Sequence, residues 1–199
     1  MFGKLGKVLL IALALLAMAG SAGACVGRIL YVGALDTTEG KVVAELLAVL
    51  INERTGTTVK TKFYPDLHKL YEALKVSEEE KRVDIFVEET GGALARLGAT
   101  PTANPTDDYA AAKERYDKEL DLIWLNPFGF TTGQGTATPT ISAPLIRRDV
   151  LTNFPLLPRV LNKLAGAIDE QAYRDLITEA KGEKPHNVAK EFLRARKLI

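Results

Sequence analysis

Three short apolar runs, two of them separated from the next by a segment with helical spacing, constrain this chain more than any other feature of its sequence. Ile29-Leu30-Tyr31-Val32-Gly33 reads as a buried strand that ends in the polar turn Asp36-Thr37-Thr38-Glu39-Gly40. Asp36 followed three residues later by Glu39 has the spacing of a capping box and predicts a helix start there. Val43, Leu46, Leu47, Leu50 and Ile51 then recur at helical spacing, and Gly56 supplies the stop. Thr58-Val59-Lys60-Thr61-Lys62-Phe63 alternates as a strand does. Leu67, Leu70, Tyr71 and Leu74 mark an amphipathic helix behind Pro65-Asp66, and Val83-Asp84-Ile85-Phe86-Val87 is a third, mostly apolar strand. Strands alternating with helices predict βαβ units, hence an α/β fold with a mostly parallel sheet and flanking helices.

Further along, residues 100–106 read as a loop, residues 110–120 as a helix and residues 121–125 as a strand. Gly133-Gln134-Gly135 between Thr-rich arms reads as a hairpin turn, and Pro139 places the returning strand at a sheet edge. Residues 149–199 read as helical, broken at Pro155, Pro158, Gly166 and the loop 182–185.

The amino terminus reads as an address. Lys4 and Lys7 precede an uncharged apolar run, followed by Gly20-Ser21-Ala22-Gly23-Ala24 and then Cys25. This is the pattern of a secretory signal over residues 1–24. The run is shorter than the roughly 20 apolar residues that a bilayer span needs. Cys25, directly after the expected cut, is either the lipidated first residue of a lipoprotein or a free thiol, and the usual Leu three residues before such a cysteine is Ala22. The remaining residues 25–199 suffice for one α/β domain.

Charge and rare residues exclude several classes. Lys plus Arg number 26 against 25 Asp plus Glu, and Lys4 and Lys7 lie in the signal, so the body is close to neutral. That argues against nucleic-acid binding. One cysteine and two histidines leave no basis for a Cys/His metal site or an internal disulfide. No Gly-rich nucleotide loop and no nucleophile-base set is visible, so neither a cofactor nor an enzymatic activity is expected.

In open parallel sheets ligands bind beyond the carboxyl ends of the strands. Here those ends carry Asp36-Thr37-Thr38-Glu39 and Glu88-Glu89-Thr90-Gly91, each leading into a helix N-terminus. Helix capping competes with ligand binding as the reason for such residues. Glu88 and Glu89, being adjacent on a strand, point to opposite faces. Trp124, Phe128 and Phe130 fit either an aromatic surface for a cation or ordinary packing.

Four segments stand in a telling order: Tyr31-Val32-Gly33-Ala34-Leu35-Asp36-Thr37-Thr38-Glu39; Asp84-Ile85-Phe86-Val87-Glu88-Glu89-Thr90-Gly91; Trp124-Leu125-Asn126-Pro127-Phe128-Gly129-Phe130; and Ala143-Pro144-Leu145-Ile146-Arg147-Arg148-Asp149 with the helices after it. Together they resemble the substrate-binding proteins of ABC-type glycine betaine, choline and carnitine importers. The resemblance implies a lobe like that of the type II periplasmic binding proteins. It also implies non-enzymatic capture of a quaternary amine, an ABC permease in the inner membrane as partner, and a place in the periplasm or on the outer face of the membrane. The residues expected to hold the ligand are Asp36, Thr37, Thr38, Glu39, Glu89, Thr90 and Gly91, with Phe130 and Gln134 at the rim. The chain departs from the family where Glu89 and Gln134 replace expected tyrosines. It departs again where residues 131–142 stand in place of most of a second lobe. A lone lobe leaves one ligand face in water, so the alternative is an envelope docking protein that no longer binds solute and that dimerises over its exposed site.

Overall fold

The computed structural model describes residues 27–102, 104–132 and 139–199; the signal-like residues 1–24, Cys25 and Gln134 lie outside the described residues. The first of the apolar runs forms β1 (Leu30–Leu35), followed by α1 (Thr38–Thr55), β2 (Val59–Tyr64), α2 (Leu67–Leu74) and β3 (Ile85–Glu89). Next come α3 (Thr90–Arg96), α4 (Pro105–Leu120), β4 (Leu122–Trp124), β5 (Thr131–Thr132) and β6 (Thr140–Arg147). The carboxyl-terminal part is α5 (Val150–Asn153), α6 (Leu157–Leu161), a 3-10 turn at Asn162–Leu164, α7 (Glu170–Glu179) and α8 (Pro185–Ala195).

The sheet runs β2-β1-β3-β6-β4. β1 pairs in parallel with both β2 and β3, whereas β6 is antiparallel to β3 and to β4, so four of these strands share one direction and β6 opposes them. The mostly parallel α/β fold is therefore present. The reversal has a simple cause: β5 and β6 pair directly, Thr131 with Ile141 and Thr132 with Thr140, and a chain that doubles back so tightly must return antiparallel.

The strand after Pro139 does not lie at an edge. β6 sits inside the sheet even though Pro144 lies within it. Leu125 N–H donates to the Pro144 carbonyl at 2.9 Å, and the reciprocal bond would need an N–H that proline lacks. The Tyr109 hydroxyl donates to the Leu125 carbonyl at 2.7 Å instead, so the vacancy leaves that carbonyl satisfied.

Two further boundaries differ from expectation. The N-cap of α1 is Thr37, not Asp36: the Thr37 hydroxyl accepts the Gly40 N–H at 3.0 Å. Asp36 follows directly on β1 and is held beside β2 because its N–H donates to the Tyr64 carbonyl, and its carboxylate turns to Lys41 at 2.6 Å. α4 begins at Pro105 within what reads as a loop, capped by Asn104, which accepts the Thr106 N–H at 3.0 Å. Proline at the first helical position and Asp107 and Asp108 in the first turn are start signals that the Pro/Thr/Asn-rich composition obscures.

Strand alternation splits the core. Leu30, Val32, Ile85 and Ile146 face α1 and the carboxyl-terminal helices, while Phe86, Leu145 and Trp124 face α2, α3 and α4. α1 is buried almost all round because it lies between the sheet and α8, which explains its apolar content beyond a single stripe. The Gly56 stop is present, with φ of 70°.

Candidate functional site

Because β1 and β3 are parallel neighbours, their carboxyl ends emerge side by side, and each feeds a helix: α1 after β1, α3 after β3. Gly40 lets the first turn of α1 close over the end of β1, since a Cβ there would sit 2.3 Å from the Leu35 carbonyl oxygen. A cavity of about 290 Å³ opens at this junction. Leu35, Val43, Leu67, Leu70 and Val87 give it apolar walls; Thr37, Glu39 and Glu89 supply polar atoms; Phe130 and Tyr173 supply rings.

The two acids of β3 part as strand geometry requires. Glu89 is exposed and accepts a hydrogen bond from the Thr140 hydroxyl at 3.3 Å. Glu88 turns inward to only 3% exposure: its Oε2 accepts from the Tyr71 hydroxyl at 2.6 Å and its Oε1 from the Glu89 N–H at 2.9 Å. The Tyr71 hydroxyl also meets that of Tyr116 at 2.7 Å. Burial pushes the Glu88 carboxyl above the usual carboxylate range, against the pull of the Tyr71 hydroxyl, the Glu89 N–H and Arg96. Burial also raises Tyr71, and it pushes Tyr116 up to about 12.

On the opposite face of the sheet Phe130 stacks on Tyr173, ring centres 4.0 Å apart, and on Phe128 at 5.8 Å. The Tyr173 phenol is pushed up to about 12, chiefly by burial and further by the charges of Glu39 and Glu89. Among the described residues no Lys, Arg or His forms an ion pair with either of these two carboxylates. Two unneutralised acids beside an aromatic face and apolar walls suit a cation with an apolar surface.

Of the residues expected at a site, Thr37, Glu39, Glu89 and Phe130 line this cavity. Asp36, Thr38, Thr90 and Gly91 do not. Asp36 pairs with Lys41, and Thr38 opens α1. Thr90 is buried and its hydroxyl accepts the Ile141 N–H at 3.1 Å, tying α3 to β6. Gly91 gives room for the Thr140 methyl, 2.6 Å from where a Cβ would stand. Trp124 is a core residue, edge-on to Tyr109 and Tyr116. His68 and His186 are exposed away from the cavity, His186 Nδ1 at 2.9 Å from Glu45. Sequence reasoning missed Tyr173, Ser142 and the inward role of Glu88. Tyr173 is brought in by the packing of α7, which no local motif signals.

The family model described as the substrate-binding domain of ABC-type glycine betaine transport systems matches residues 30–143, more than half of the chain. The chain belongs to this family. Among solved structures it is similar to one described as a glycine betaine/carnitine/choline ABC transporter. That match has a TM-score of 0.75 and 16% identity, covering 86% of this chain and 99% of the other. It is similar also to apo YehZ from Escherichia coli, with a TM-score of 0.73 and 14% identity, covering 87% of this chain and 100% of the other. At such identities the likeness shows a shared fold. No curated protein sequence matches the chain. The segment shared with the substrate-binding family spans both strand ends that build the cavity, together with Phe130 and Ser142, whereas Tyr173 lies beyond it. Proteins of this family capture a solute for transport and do not convert it.

Proposed function

We propose that this protein captures a quaternary ammonium solute in the cavity between β1 and β3 and serves an ABC permease as its substrate-binding component. The observation that carries the reading is the pairing of two unneutralised carboxylates, Glu39 and Glu89, with the Tyr173 and Phe130 rings around an apolar pocket. A trimethylammonium group is held by such surroundings: its methyls bury against Leu35, Val43 and Leu70 while its charge is met by the acids and the ring face. Glu89 takes over by charge what the expected tyrosine would do by its π face. Residues 1–24 act as an export signal, which places capture on the outer side of the membrane. Cys25 then starts the mature chain, and mass spectrometry of that terminus distinguishes a lipid anchor from a free thiol. Among the described residues no helix is long and apolar enough to cross a membrane.

Thermal melting against glycine betaine, choline and carnitine tests the reading. A ligand at 100 times its Kd adds about 2.7 kcal/mol, enough to raise the midpoint by several degrees. Folded protein whose midpoint moves with none of the three overturns it and favours a docking role at the envelope.

A further inference from the structure

Glu88 lines the cavity and yet is only 3% exposed, and the groups around it come from every side. From α2 the Tyr71 hydroxyl touches Oε2, from α4 the Tyr116 hydroxyl backs Tyr71, and the Glu89 N–H touches Oε1. Arg96 of α3 lies over the Tyr71 ring, its guanidinium 3.7 Å from the ring centre, and it makes no ion pair with Glu88 among the described residues. Across the cavity stand Glu39 of α1, Glu89, Ser142 of β6 and Tyr173 of α7; no Lys, Arg or His is among the described lining residues. An ionised Glu88 thus sits beside a pocket that holds further negative charge and no cation of its own. That arrangement favours the neutral acid while the pocket is empty.

The hydroxyl chain accommodates either form. When Glu88 is ionised, Tyr71 donates to it and Tyr116 donates to Tyr71. When Glu88 carries a proton on Oε2, it donates to Tyr71, Tyr71 donates to Tyr116, and Tyr116 donates to the Ala93 carbonyl, 3.4 Å away. Reversal of the two tyrosine hydroxyls leaves neither of them, nor the Glu88 O–H when present, without an acceptor, so neither protonation state strands a buried hydroxyl proton.

We infer that Glu88 is a proton-linked charge of the ligand pocket: it holds a proton when the pocket is empty and releases it to solvent when a quaternary ammonium ion enters. The inference rests on the cation reading of the same pocket. Its consequence is reciprocal: protons compete with the ligand, and the ligand expels a proton. Affinity rises by up to about tenfold per pH unit as the pH climbs to the midpoint of Glu88 in the empty protein, and levels off above it.

The test uses carbon-13 NMR of the glutamate carboxyls in the ligand-free protein, with Glu88 assigned by Glu88→Gln. It is joined to calorimetry with choline in two buffers of different ionisation enthalpy. The expected results are a Glu88 midpoint above the ordinary value of about 4.3, a further rise in Tyr71→Phe, and net proton release on choline binding that vanishes in Glu88→Gln. A midpoint at or below the ordinary value, or choline binding with no proton release near the midpoint, overturns the inference and leaves the solute reading standing. Absence of choline and glycine betaine binding at millimolar concentration overturns the solute reading and removes the coupling with it. The ligand-free midpoint separates these two failures.

Discussion

Asp84, immediately before β3, and Glu88, near its carboxyl end, lie on the same face and both are buried, at 0% and 3% exposure. Their surroundings differ in kind. Asp84, at the amino end of the sheet, accepts the Tyr31 N–H at 2.9 Å and lies 2.7 Å from Arg82 Nε in an ion pair whose angle falls short of a hydrogen bond. Lys62 and Arg147 stand nearby, Lys62 donating to the Glu80 and Arg82 carbonyls and Arg147 to those of Leu74 and Val76. Burial still raises the Asp84 carboxyl, against the pull of the Tyr31 N–H, Arg82 and Arg147. Glu88, at the carboxyl end, is met by neutral donors alone. One end of β3 spends its positive charge on locking the fold, and the other end withholds it. A buried acid with no ion-pair partner among the described residues, its one nearby cation, Arg96, set behind the Tyr71 ring, is where a cationic ligand at the cavity has something to complete.

The largest test of that contrast is Asp84→Ala. It leaves Arg82 without its carboxylate and the Tyr31 N–H without its acceptor, so a loss of about 3 to 5 kcal/mol in urea unfolding is expected. Choline affinity of the folded fraction should be unchanged. An Asp84→Ala protein as stable as Glu88→Gln would break the contrast between the two ends. Next in size is Tyr173→Ala, which removes the ring stacked on Phe130 at the pocket. Calorimetry should show choline binding weakened by about 1 to 2 kcal/mol, roughly 5- to 30-fold. Unaltered binding would remove the aromatic half of the carboxyl-end site.

The two ends were not equally legible. The βαβ order, the Gly56 stop and the opposed directions of Glu88 and Glu89 follow from periodicity and turn chemistry, which are local. The α1 cap lies at Thr37 and not Asp36 because a bond from the Asp36 N–H to the Tyr64 carbonyl ties Asp36 to the end of β2, and no local pattern carries that information. The edge inferred from Pro139 failed because Pro139 stands just before β6 and takes no place in its ladder, while the proline inside β6, Pro144, is tolerated because Tyr109 serves the carbonyl opposite it. At the site, acids and threonines at strand ends marked the right edge of the sheet but did not separate ligand-facing from structural members. Thr90 ties two elements together, whereas Glu89 three atoms of backbone away faces the pocket. Tyr173 arrives from α7 by helix packing.

A smaller effect is expected from Glu39→Gln and Glu89→Gln. Both carboxylates are exposed, so water screens them and each change should weaken choline about two- to fivefold at low salt. The difference should fade as the ionic strength rises through about 0.15 M, where the screening length is about 8 Å. Salt-independent losses would mean that these acids act by shaping the pocket and not by charge.

The smallest effect concerns stability and sharpens the contrast from the other side. Burial raises the folded-state pKa of Glu88 above its unfolded value. A carboxyl shifted this way binds its proton more tightly in the native protein. Its contribution to stability is full below the unfolded value of about 4.3 and is lost as the pH rises through the folded value. Gln at this position accepts the Glu89 N–H through its oxygen, donates through its amide NH2 to the Tyr71 hydroxyl as the protonated acid does, and never ionises, so it escapes that loss. Relative to the parent protein, Glu88→Gln should therefore gain stability as the pH rises above the unfolded value and through the folded one, read as a rising difference in urea midpoints. Saturating choline should shrink the gain, because the ligand supplies the counter-charge that the parent protein lacks. A variant whose relative stability falls across the same interval would show that Glu88 is ionised and stabilised like any paired carboxylate, and the two ends of β3 would then be alike.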